Sequence, residues 1–296
     1  MSVAASRARL ERQGVAAQSL PSTRIPMVMW VGLAILGFYT LVALGASWIA
    51  PLDPTAYLGK PLEYPSPGHL LGTNDVGQDN LSDLIFGARV SLLVGLSAAF
   101  LSMSIAALLG TTSGYLGGWF DAAVMRFVDI MIVIPRLPLM IVLAAYVGAG
   151  LDTTILVIGL LSWPQPTRVL RAQVLSLRSR THVQAARLFG AGAPYIVLRH
   201  LIPALGPILA AGFVAHAGQA VLTEASLAFL GLGDPSNRSW GLTIRYALNV
   251  KGFFFTDQWL WSVLPAALNL SLLLMAFALV GMGLELLTNP RLRRPR

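Results

Sequence analysis

The sequence predicts an all-α polytopic membrane protein with six transmembrane helices, and three observations carry that prediction. Of 296 residues, 55% are hydrophobic and only 11% are charged, against about 25% charged in an ordinary soluble domain. Residues 27–50 carry no charge, and about 20 apolar residues rising about 1.5 Å each cross a hydrocarbon core of about 30 Å. Fourteen of the 21 basic residues fall in the two tails and in one stretch, 168–199.

Taken in order, residues 1–26 form a basic tail (Arg7, Arg9, Arg12, Arg24) whose Pro21 and Pro26 discourage a continuous helix. The first span is 27–50, with Trp30 and Trp48 near its ends, where indole rings favour the interface. Residues 51–89 are rich in proline, glycine and acids (Asp53, Glu63, Asp75, Asp79, Asp83), which places them outside the membrane. Within them Leu81, Leu84, Ile85 and Ala88 recur at helical spacing, predicting a short amphipathic helix on the membrane surface. It leads into a core domain, 90–287.

That core opens with a helix at about 90–111. Gly114, Gly117 and Gly118 mark a turn, and Asp121 is placed to cap the next helix, about 125–147. This third span contains Asp129, Pro135, Arg136 and Pro138, and ionisable groups are costly in lipid. Two readings stand: the charges face protein or a water-filled path, or Asp129 sits at the interface while Arg136 snorkels or pairs inside the bundle. A tight turn leads to a fourth helix, about 153–169, weakened by Pro164 and Pro166. The connection 170–200 follows. From Arg168 to Arg199 the chain carries six arginines and no acid, and Thr181 to Leu209 reads as a glycine-punctuated helix-turn-helix built for docking. The fifth and sixth helices, about 201–230 and 261–287, flank a loop rich in glycine, asparagine and aromatics, and a basic tail occupies 288–296.

Basic residues on the two sides number fourteen and five, the five being Lys60, Arg89, Arg238, Arg245 and Lys251. The positive-inside rule therefore puts both termini and the 170–200 connection in the cytoplasm. A formal charge of +8 would raise nucleic acid as a partner in a soluble protein. Here the arginines lie between apolar runs, so membrane lipid is the expected counterion and no nucleic acid is. With no cysteine, disulfides, thiolate metal sites and thiol catalysis are excluded. Lys60 and Lys251 both lack the following Ser or Thr of a phosphate loop, so the chain is not expected to hydrolyse ATP. No zinc-protease or nucleophile-elbow spacing occurs, and His69, His182, His200 and His216 are scattered. The expectation is a protein that is no enzyme, with neither metal nor cofactor. An ion-gradient-driven secondary transporter is the alternative, but it predicts inverted repeats that the sequence does not display.

Gln184-Ala185-Ala186, then Gly190-Ala191 and Pro203, is similar to the E-A-A-x3-G-x9-I-x-L-P loop of permease subunits in binding-protein-dependent ABC importers. Small Ala185 and Ala186 permit close approach and Gly190 a sharp turn. Gln184 stands where that family usually has Glu, so a neutral hydrogen bond replaces an ionic contact. Three further blocks resemble the dipeptide, oligopeptide and nickel branch. Leu71-Gly72-Thr73, Gly77, Asp79, Ser82 and the run Gly87 to Leu92 resemble its first block, with Gln78 and Asp83 where Arg is usual. The runs Arg199 to Pro203 and Glu224 to Gly233, with Trp240-Gly241 after, resemble the others.

The resemblance implies the type I ABC importer permease fold and a loop that couples to a cytoplasmic ATPase. It also implies a second permease subunit forming a heterodimer, two ATP-binding subunits, an external solute-binding protein, and residence in the inner membrane. For Glu224 two roles are open: lining the pathway, or forming a structural ion pair with Arg89 or Arg245.

Overall fold

In the computed structural model, which describes residues 26–288, every regular element is helical apart from one β-bridge between Thr73 and Asp79. The predicted tails, 1–26 save Pro26 and 288–296 save Thr288, lie outside the described residues. Helix α1 is Met27–Ile49 and α2 is Asn80–Leu116. A broken pair, α3 (Gly118–Val133) and α4 (Arg136–Val147), is followed by α5 (Leu151–Ser162) and α6 (Pro164–Leu177). Next come α7 (Thr181–Leu188) and α8 (Ala193–Ile196), which runs through a π-turn at Val197–Leu201 into α9 (Ile202–Phe229). Helices α10 (Trp240–Leu248) and α11 (Val263–Thr288) complete the chain.

Four helical stretches are long and apolar enough to cross a membrane, five if the bent α3–α4 pair counts as one, while α5 is apolar but shorter. The expected six are thus not all continuous spans. Helix α2 is the central post: α1, α5, α6 and α9 all pack on it, and α11 closes the bundle against α1 and α9. Small residues let these helices approach. A Cβ at Gly95 would lie 2.5 Å from Val221 and 3.2 Å from the Ala217 carbonyl of α9.

Three differences from the expected elements have local causes. The amphipathic surface helix does not exist as a separate element. Residues 80–89 are the first turns of α2, and Asn80, Ser82, Asp83, Gly87 and Ala88 are buried. Nothing in that stretch lacks a backbone donor, so the helix runs on for 37 residues. The third span is not one helix but two meeting at 86°. Ile134 is extended (ψ 126°) because the following Pro135 disfavours its helical conformation. The fourth helix does not end at 169. Trp163 stays helical (φ −73°, ψ −22°) between α5 and α6, and Pro164 sits in the first turn of α6, where a missing N–H is harmless.

Candidate functional site: the α7 turn and its supports

Helix α7 is amphipathic and short. Val183 is buried, Ala185 and Ala186 are half-buried, and Gln184 is exposed. It ends in a complete Schellman closure: the Gly190 amide donates to the Arg187 carbonyl and the Ala191 amide to the Ala186 carbonyl, both at 3.0 Å. Gly190 has φ +85°, a conformation that costs an L-residue about 1–2 kcal/mol. Ala186 and Ala191, the two ends of the closure, pack on one hydrophobic cluster with Val183, Ile196 and Leu201. The predicted helix-turn-helix is therefore present. Five of its singled-out residues, Gln184, Ala185, Ala186, Gly190 and Ala191, meet at one turn. Pro203 stands apart, exposed in the first turn of α9. It follows the π-turn in which the Ile202 amide reaches back to the Val197 carbonyl, and its missing N–H falls where the ladder changes register.

The two most exposed apolar side chains here are ones that spacing arguments pass over. Leu188 is 87% and Phe189 91% exposed. Their signal in the sequence was adjacent apolar residues immediately before a turn glycine in an otherwise polar helix. Gln184, Arg178, Arg187 and Tyr115 line a cavity of about 680 Å³ beside this tip.

Two of the arginines that lack local acids find them across the fold. Arg171 makes a bidentate contact with Asp121 of α3 (2.5 and 2.6 Å), and Arg168 of α6 pairs with Asp129 of α3. Arg178 donates to the Gly114 carbonyl at the end of α2 (3.1 Å). Asp121 is accordingly not the expected helix cap, since Gly117 holds that position and the Asp121 carboxylate is turned to α6. The half-exposed Asp129 is a surface ion-pair member between two helices. Arg136, half-buried at the start of α4, forms no ion pair among the described residues and lies within electrostatic reach of His216 on α9. The histidines do not gather: His182 and His200 come closest, with ring centroids 6.1 Å apart.

At the opposite end of the bundle the segment 51–79 folds over the start of α2. Asp79 caps that helix, accepting from the Ser82 amide (2.8 Å) and hydroxyl (2.7 Å), and its other oxygen meets His69 Nδ1 at 3.1 Å. Arg238, from the loop after α9, donates to Gln78 Oε1 (2.5 Å) and lies 3.4 Å from Asp83. Gln78 and Asp83 thus share one arginine, which lies 160 residues from Gln78 in sequence. Glu224 is buried (4% exposed) in α9, and one of its carboxylate oxygens has no hydrogen-bond partner among the described residues. Among the described residues neither Arg89 nor Arg245 forms an ion pair with it, so of the two roles left open the ion pair is not formed.

Comparison with known proteins identifies the family. Residues 106–294, which contain the α7 turn, match the family described as binding-protein-dependent transport system inner membrane component. A putative peptide permease protein of Brucella suis biovar 1 is 38% identical over 228 residues, covering 77% of this chain and 74% of that protein. The probable D,D-dipeptide transport system permease protein of Escherichia coli K12 is 36% identical over 259 residues, 87% and 85% of the two chains. The dipeptide transport system permease protein of Haemophilus influenzae is 34% identical over 273 residues, 89% and 90%. An all-helical bundle of apolar spans, a family match over residues 106–294 and relatives 34–38% identical over most of the chain lead to one conclusion: the chain belongs to the binding-protein-dependent transport system inner membrane components, a family of transport permeases.

Proposed function

We propose that this chain is one of two permease subunits of an ATP-driven peptide importer, with the α7 turn as its contact to a separate ATPase. The observation that carries the reading is the pairing of a family match over 106–294 with a rigidly closed turn that displays Leu188 and Phe189 to solvent. The names of the three relatives, all peptide or dipeptide permeases, support a peptide as cargo. Six crossings in the type I permease fold follow if the α3–α4 pair is one span and α5–α6 another. The arginine asymmetry supports an α7 turn and termini in the cytoplasm, with 51–79 and 230–262 outside, where an external solute-binding protein would dock. The remaining partners are a second permease and two ATP-binding subunits.

In this mechanism ATP closure of the ATPases moves α7, and the motion reaches the bundle through α6 and α8. The cluster under Val183 makes α7 part of a packed unit rather than a hanging loop. The Asp121–Arg171 and Asp129–Arg168 pairs tie α6 to α3, so movement of the turn is delivered to the first half of the broken span.

The test is association and energy source together. Deleting Gln184 to Gly190 is expected to abolish co-purification of the ATPase subunits, and unchanged association would refute the docking role. Uptake of a dipeptide by the complex in sealed vesicles should follow ATP; uptake driven by a proton potential alone would overturn the importer reading.

A further inference from the structure

We propose that this permease carries a built site for an anionic phospholipid headgroup on its 51–79 side, between the end of α1 and the third turn of α2. The site is a cavity of about 730 Å³ whose polar wall includes Arg89, Arg238, Asn237 and Asp53. Ser47 and Ala50, at the end of α1, and Phe86 and Leu93 of α2 form its floor.

Depth in the membrane follows from helix lengths. The 23 residues of α1 span about 35 Å, slightly more than a hydrocarbon core of about 30 Å. The cavity at its last turn therefore lies at headgroup level. The 37 residues of α2 reach about 55 Å, so its first turns project beyond the core and bring Arg89 to that same level.

The charges select the ligand. Arg89 is exposed and has neither an ion pair nor a hydrogen bond among the described residues. Arg238 is held in place by Gln78 and Asp83, which fixes its position in the wall. The wall also holds one carboxylate, Asp53, which keeps its charge and is bonded by the Thr55 amide (2.8 Å) and hydroxyl (2.6 Å). A singly charged phosphodiester matches a free guanidinium beside amide and hydroxyl donors. Acyl chains have an apolar flank: Leu93 lines the cavity and is 47% exposed, and Trp48 (89%) and Ile49 (52%), which lie in sequence between the lining residues Ser47 and Ala50, are exposed as well. A water-soluble anion would use only the charged wall. This apolar flank is what assigns the site to lipid.

The experiment uses the complete transporter with its partner permease and ATPases, in nanodiscs of phosphatidylglycerol or phosphatidylcholine, with retained lipid counted by native mass spectrometry. Wild type should retain phosphatidylglycerol preferentially, and R89Q should lower that retention about fivefold, the effect of one basic residue near an anionic surface. R89K, which keeps the charge, should lower it less than R89Q. Equal retention by wild type and R89Q overturns the site. Displacement of the lipid by inorganic phosphate at constant ionic strength would overturn the lipid assignment, because a free-anion site would then explain the cavity. Occlusion of the cavity by a partner subunit, seen as protection of Arg89 from phenylglyoxal in lipid-free detergent, would overturn it as well.

Discussion

At the residue scale, Gly190 is the position where conformation and proposed function coincide. Its φ of +85° closes α7, and nothing lies within 4 Å of where a Cβ would sit, so strain rather than crowding opposes a side chain. Gly190→Ala should destabilise the turn by about 1 kcal/mol, read as faster amide exchange at Gly190 and Ala191 with the spans unchanged. Neighbouring side chains separate into two kinds. A neutral hydrogen bond from Gln184 is worth about 0.5–1.5 kcal/mol, whereas burying an aromatic anchor such as Phe189 contributes about 2 kcal/mol or more. Phe189→Ala should therefore weaken ATPase association more than Gln184→Ala in a pull-down titration; the reverse order would place the contact on the Gln184 face. Asp234 offers a pH test on the other side. Partial burial raises its pKa, but hydrogen bonds from Asn237, Ser236 and the Leu151 amide outweigh that and hold it below the usual value. A depressed carboxylate stabilises the fold above its unfolded pKa of about 3.9 and loses that contribution as pH falls through the folded value. The link from the 230–239 loop to α5 should loosen below about pH 4, seen as exchange at Leu151, and Asp234→Asn should blunt the transition.

At the element scale, the tie between α3 and α6 separates a mechanical role from simple packing. Asp121→Arg leaves Arg171 facing a like charge and should cost about 2 kcal/mol, while the double exchange Asp121→Arg with Arg171→Asp should recover most of it in a thermal-shift measurement. If the tie transmits motion, the single variant should also lower ATP-coupled uptake more than it lowers ATPase association. The same elements show what was legible in the sequence. The α7 turn was readable because a Schellman closure is local, and Ala186, Gly190 and Ala191 specify it within six residues. Pro135 announced trouble in the third span, yet its 86° bend depends on what α4 packs against and has no local signature. The start of α2 was read as a surface helix because Leu81, Leu84, Ile85 and Ala88 recur at helical spacing beside the acids Asp79 and Asp83. Burial of those two acids rests on His69 and on Arg238, the latter supplied from beyond α9. Pairs such as Arg168 with Asp129, 39 residues apart, are likewise visible only after the fold brings α6 to α3.

At the scale of the whole molecule, the structure fixes which segments share an end of the bundle, and the remaining question is which end faces the cytoplasm. Arg238 bonding Gln78 puts the 51–79 segment and the loop after α9 together, while Arg178 bonding the Gly114 carbonyl puts the α6–α7 junction at the far end of α2. One topological fact therefore sets the rest. The chain contains no cysteine, so a single introduced thiol is the only label site on it. Tyr57 (73% exposed) and the exposed Ser179 mark the two ends without touching the buried clusters. The proposed orientation has Ser179 inside. A Tyr57→Cys variant should react with a membrane-impermeant maleimide in intact spheroplasts, and a Ser179→Cys variant only after lysis. The opposite pattern would invert the protein, moving the α7 turn away from any cytoplasmic ATPase and removing the physical basis for coupling through Leu188 and Phe189.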